Sequence, residues 1–181
     1  MIRLFVGVGL PEDIRARLAG LQAGVPGARW VPPENIHLSL RFIGDVNEGE
    51  ADDIHDALES VRTRRFALSL AGVGHFESAG QVHTLWVGVD KNPDLVALRD
   101  RVESALVRIG RPPEGRRFTP HVTLARLRDA AIGRVSTFLA VNALFRAGPI
   151  AVDRFTLYSS AMQGHGRLYR PEADYALAAV A

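Results

Sequence analysis

His37-Leu38-Ser39-Leu40-Arg41-Phe42 and His121-Val122-Thr123-Leu124-Ala125-Arg126 carry one pattern twice: histidine, apolar residue, hydroxyl, apolar residue. Side chains alternate across a strand, so His37 and Ser39 share one face about 6–7 Å apart while Leu38 and Leu40 face a core. His121 and Thr123 repeat the arrangement. Each strand is entered from a proline-bearing turn, Trp30-Val31-Pro32-Pro33-Glu34-Asn35 in one case and Phe118-Thr119-Pro120 in the other. The chain therefore resembles itself, which points to two related lobes.

The rest of the chain fits that plan. Met1–Val8 reads as a first strand, not a signal segment, since no basic stretch precedes its short apolar run. Pro11–Leu21 has a proline near its start, early acids and apolar residues at helical spacing, and residues 48–62, about 93–109 and around 131–140 also read as helices. Phe66–Val73 and Val82–Val89 look like strands joined by a glycine-containing loop, and two final strands are expected near 149–160 and 167–179. Irregular alternation with hairpin-like pairs implies an α+β fold. We expect a single domain over 1–181 in which two antiparallel-sheet and helix lobes are related by a pseudo-twofold around a central cleft.

Two such strands facing one cleft would supply two imidazoles and two hydroxyls. Histidine titrates near pH 6.5, so one copy can act as neutral base while the other is protonated acid. The hydroxyls can donate to non-bridging phosphate oxygens, and Arg126, five residues after His121, can neutralise charge that builds in a transition state. This kit suits phosphodiester chemistry without a metal. The histidines lack the helical spacing and acidic neighbour of a zinc protease, and no glycine-rich loop offers a seat for ATP or NAD. No metal and no cofactor are expected.

Composition narrows the class. At 181 residues, 47% hydrophobic and 23% charged, the chain is that of an ordinary globular protein with enough apolar residues for a sizeable core. It has no cysteine, so disulfides and thiolate metal sites are excluded and a cytoplasmic location is expected. No apolar run approaches the roughly 20 residues of a membrane span. All but Lys91 of its 22 basic side chains are arginine, whose planar fork suits phosphate, although a GC-rich genome would give the same bias. Arg41, Arg116, Arg117 and Arg128 flank the motifs and could guide a phosphate-bearing backbone. Trp86 reads as core.

These residues resemble the bacterial and archaeal RNA 2',3'-cyclic phosphodiesterases, first known as 2'-5' RNA ligases, within the two-histidine phosphoesterase superfamily. The likeness spans nearly the whole chain: Arg3–Val8, Arg29–Gly44, Val82–Val89, Phe118–Arg126, and Phe155–Ser160 followed by Gly166-Arg167-Leu168-Tyr169. It implies a bilobal fold whose two motifs line a central cleft, and hydrolysis of a terminal 2',3'-cyclic phosphate to a 2'-phosphate. In that likeness His37 protonates the departing ribose 3'-oxygen, His121 activates water, Ser39 and Thr123 grip phosphate oxygens, and Arg126 takes the phosphate-binding arginine position. Phe42 takes a position where an aromatic ring can stack on the terminal base. Ser39 stands where the family more often has threonine. The implied partners are RNA ends bearing a cyclic phosphate or small cyclic nucleotides, on a monomer, with reversible ATP-independent ligation as a side activity. A non-catalytic RNA-end binding module and an esterase for small cyclic nucleotides are the alternatives.

Overall fold

The computed structural model describes residues 1–180. Strand β1 (Ile2–Gly9) leads through Pro11 into α1 (Glu12–Ala19), whose first turn places Glu12 and Asp13 at the positive end of the helix dipole. A two-residue strand β2 (Arg29–Trp30) and a 3-10 turn (Pro33–Asn35) precede β3 (His37–Val46). Helix α2 (Glu48–Glu59) starts in a capping box: the Asn47 side chain accepts from the Glu50 amide while the Glu50 carboxylate accepts from the Asn47 amide. Then come β4 (Phe66–Ser78), β5 (Gln81–Val89), α3 (Pro93–Arg108), β6 (His121–Arg126) and α4 (Ile132–Val141). Strands β7 (Arg146–Val152), β8 (Arg154–Gln163) and β9 (Gly166–Ala176) complete the chain.

The strands form one nine-stranded antiparallel sheet in the order β7-β4-β5-β6-β3-β1-β8-β9, with β2 paired to β6. Reading outward from the central β6/β3 junction, each half consists of a histidine strand followed by three more. The expected pseudo-twofold is thus present, as two halves of one continuous sheet. The halves exchange strands, because β4 leaves the first histidine strand's side to join the other half and β8 returns to pair with β1. At the junction only Leu38 and Val122 pair, and both are fully buried. Beyond that pair β3 and β6 part, and a cleft opens between them. Leu38, Leu40, Val122 and Leu124 anchor the strands from behind, each burial stabilising by about 1.5–3 kcal/mol.

Two boundaries differ from the sequence-based expectation. The region near 149–160 is two strands, β7 and β8, divided at Asp153 and lying in opposite halves of the sheet. No glycine or proline marks that division. Strand β4 runs on through Ser78, and the loop expected after Val73 shrinks to the tight turn Ala79-Gly80, where both residues have positive φ, as strand twist favours in a two-residue hairpin. As expected of the proline-bearing turn, residues 118–120 stay outside β6, and Pro120 has no amide to donate to a ladder. No helix among the described residues is long and apolar enough to cross a membrane.

Candidate functional site

The two histidine strands reach the cleft through matching irregularities. On β3 the register against β1 passes from Gly7 opposite Ser39 to Val6 opposite Arg41, leaving Leu40 as an extra residue. On β6 the register against β5 passes from Trp86 opposite Thr123 to Leu85 opposite Ala125, leaving Leu124 extra. A bulge resets the alternation that follows it. Strict alternation would put Phe42 and Arg126, each five residues after its histidine, on the face away from the imidazole. The bulges return both to the cleft, so Phe42 and Arg126 occupy equivalent places in the two halves. All six residues singled out from the sequence, His37, Ser39, Phe42, His121, Thr123 and Arg126, line one cleft of about 300 Å³.

The histidines are fixed in the same way. Nδ1 of His37 lies 2.6 Å from the Asn35 carbonyl and Nδ1 of His121 lies 2.7 Å from the Thr119 carbonyl, in each case two residues upstream. A carbonyl only accepts, so Nδ1 carries the proton in both rings and Nε2 is the working nitrogen. Nε2 of His37 sits 2.9 Å from the Ser39 hydroxyl, and Nε2 of His121 has no protein partner among the described residues. Aromatic rings hold the imidazoles in place: Phe5 at 4.8 Å and the edge-on Tyr169 at 5.3 Å from His37, and the edge-on Phe76 at 4.8 Å and Trp86 at 6.0 Å from His121.

Burial pushes the pKa of both histidines below the ordinary histidine value; the Nδ1 bond to the carbonyl partly opposes this, and the Arg126 charge adds to it. His121 lowers His37 further, so protonation of one ring disfavours protonation of the other. Arg126 is aimed by Thr84, a fully buried hydroxyl on β5 that accepts from its Nη1 at 3.0 Å. The cleft lining includes three arginines, Arg3, Arg126 and Arg167, and no carboxylate.

Several participants were not singled out from the sequence. Asn35 is buried at 6% exposure, and its side-chain amide donates to the Arg167 carbonyl at 2.7 Å, so the residue that fixes His37 also ties down β9. Tyr169, Ser160 and Phe5 join the lining. Trp86, read as core, is half-buried and forms part of the wall beside His121. Arg41 does not face the cleft: it pairs with Glu103 on α3 at 2.5 Å, and the two side chains are 9% and 14% exposed. It is a structural residue. Among the described residues, the one group of histidine and carboxylates close enough to share an ion is the exposed His55, Asp56 and Glu59 on α2, none of which lines the cleft.

A fold of this topology around two matched histidines defines a class, and comparison with known proteins agrees. Residues 10–163 match the model of the 2'-5' RNA ligase superfamily, and the chain belongs to that family. Among its relatives, the RNA 2',3'-cyclic phosphodiesterase of Aeropyrum pernix is 35% identical over 165 residues, covering 90% of this chain and 92% of that protein. The RNA 2',3'-cyclic phosphodiesterase of Escherichia coli is 29% identical, covering 97% and 96%. The crystal structure of E. coli LigT complexed with 3'-AMP superposes with a TM-score of 0.79 at 29% identity, covering 97% of this chain and 98% of that one.

Proposed function

We propose that this protein is an RNA 2',3'-cyclic phosphodiesterase that opens a terminal cyclic phosphate to a 2'-phosphate by acid–base catalysis between His37 and His121. The observation that carries the reading is the matched pair of imidazoles, each with Nδ1 spent on a backbone carbonyl and Nε2 left for a cleft without carboxylates. A site built only for binding has no need of two titratable rings held in the same tautomer.

In the forward reaction water attacks phosphorus and gives its proton to Nε2 of His121. The P–O3' bond breaks, and Nε2–H of His37 donates its proton to the departing O3'. Water has then been divided between a 2'-phosphate and a 3'-hydroxyl, and one proton has moved from His37 to His121. Return of that proton through solvent resets the pair. The depressed histidine pKa values keep His121 neutral as a base; the bound phosphate anion raises the pKa of the nearby imidazoles, so His37 is protonated when substrate is present. Ser39 and Thr123 donate to the non-bridging oxygens, Arg126 offsets the charge that grows at phosphorus, and the 54% exposed Phe42 ring stacks on the terminal base. Both proton transfers are assigned to histidine, so no step in this scheme calls for a metal ion. A 5'-hydroxyl in place of water, with the same two proton transfers, would form a 2'-5' linkage without ATP.

The test is incubation of an oligoribonucleotide ending in 2',3'-cyclic phosphate with the protein in EDTA and without ATP, the product end group being read by phosphorus NMR. A 2'-phosphate is expected. A 3'-phosphate, or no product, would reject the scheme, and turnover confined to 2',3'-cyclic mononucleotides would shift it to small cyclic nucleotides.

A further inference from the structure

We propose that the wall of the cleft formed by β1, β8 and β9 binds the phosphodiester one nucleotide upstream of the reacting end, with Arg167 as its principal contact, so that the site takes an RNA chain in preference to an isolated cyclic nucleotide. This rests on the cyclic phosphodiesterase reading and adds to it a second phosphate subsite.

The argument begins with charge. A cyclic phosphate diester carries one negative charge, whereas the lining carries three guanidiniums and no carboxylate. Arg126, on β6, serves the reacting phosphate. The other two arginines lie on the far side of β3, on β1 and β9, because the strand order places β3 and β1 between β6 and β8. A single phosphate held between Nε2 of His37 and Nε2 of His121 leaves Arg167 without an anion and Arg3 with Asp45 alone. Guanidinium groups match phosphate oxygens bidentately, and a second diester is the anion that an RNA end always brings.

The far wall is also held in place. Opposite Ser160 on β8 stands Arg3 on β1, whose guanidinium makes two bonds to Asp45 at 3.1 and 2.7 Å. Arg167 has no carboxylate partner among the described residues; its Nη1 donates to the Ser160 hydroxyl at 3.1 Å. Its backbone carbonyl is fixed by the buried Asn35 side chain, so the start of β9 is tied to the turn that orients His37. Arg3 is partly neutralised and Arg167 is not, which makes Arg167 the stronger phosphate ligand. Asp45 is held below the usual carboxylate range first by Arg3, and Arg167 contributes in the same direction, so the second guanidinium acts on this corner of the cleft.

The test uses two tetraribonucleotides ending in 2'-phosphate that differ only at the last internucleotide linkage: an ordinary phosphodiester in one, a neutral methylphosphonate in the other. Binding is measured by titration calorimetry, so the result does not depend on turnover. Wild type should bind the neutral-linkage ligand about tenfold more weakly, as expected for loss of one charge-assisted contact. In Arg167→Gln the difference should vanish, and its log–log salt slope on the charged ligand should fall by about 0.7, while Arg167→Lys should keep part of the difference. Equal binding of the two ligands by wild type would overturn the proposal, and so would equal weakening of both by Arg167→Gln. If wild type discriminates between the ligands yet fails to open the cyclic phosphate, the subsite stands and the catalytic reading falls.

Discussion

Gly74→Ala tests how the wall beside His121 is built. Gly74 on β4 faces Trp86 on β5, and a Cβ at position 74 would lie 2.3, 2.4 and 2.7 Å from Cη2, Cζ2 and Cζ3 of the indole. Non-bonded carbons rest at about 3.5–4.0 Å, so the ring would have to retreat by more than about 1 Å. It has little room, with Phe76 at 5.4 Å and His121 at 6.0 Å between ring centroids. Overpacking of this kind costs about 1–3 kcal/mol, and alanine recovers about 0.5–1 kcal/mol of glycine's entropy cost in a strand. The expected net loss is about 1–2 kcal/mol, or a fall in Tm of roughly 2–8 °C for a domain of this size. Urea denaturation with and without Trp86→Phe forms a double-mutant cycle. Phenylalanine lacks the three clashing atoms, so in that background Gly74→Ala should cost nothing or stabilise slightly. The same penalty in both backgrounds would refute the packing argument.

Other consequences follow from groups already described. Glu103→Gln removes the carboxylate that faces the nearly buried Arg41 and leaves Glu114, at 3.9 Å, as its one carboxylate beside the Phe42 and Pro112 carbonyls; a loss of about 3 kcal/mol in urea denaturation is expected, and a change under about 0.5 kcal/mol would show that the pair is not what fastens β3 to α3. For kcat/KM, which reports the free enzyme, both histidine pKa values lie below the ordinary one, so the acid form of His37 is lost as pH rises through its lowered value. The profile should be a bell with its optimum below about pH 6.5, and a bell centred above pH 7.5 would be inconsistent with buried rings. The same shifts act on stability. Because the folded state holds these rings neutral, the unfolded state binds more protons between the lowered folded values and about 6.5, so stability is fully present above that pH and declines as pH falls below it. Comparing Tm at pH 7.5 and 5.5 should show a smaller loss in His37→Ala/His121→Ala than in wild type.

The repeated tetrapeptide was legible because strand alternation ties His37 to Ser39 and His121 to Thr123 without reference to the rest of the chain. The α+β class followed from the same local patterns. What lay beyond them needed the sheet. Phe42 and Arg126 stand at the wrong parity for the cleft, and only the bulges at Leu40 and Leu124 bring them round; a leucine at a bulge looks like any strand leucine. The division at Asp153 carries no breaker residue, since a chain crossing from one half of the sheet to the other needs no turn chemistry of its own. Asn35 reads as part of a turn, and its side-chain tie to β9 appears only when β9 packs against that turn. Arg41 and Arg167 look alike in sequence. One is committed to Glu103 on α3 and the other faces the cleft, and the difference lies in partners more than 60 residues from Arg41 and seven from Arg167.

The central claim is that His37 and His121 share the work through their Nε2 atoms. The most direct measurement is single-turnover opening of an oligoribonucleotide 2',3'-cyclic phosphate by wild type, His37→Ala, His121→Ala and the double variant. Each single substitution should lower the rate at least about 100-fold, and the double variant should be little worse than the slower single, because acid and base act in one step. Wild-type rates in either single variant would contradict the account.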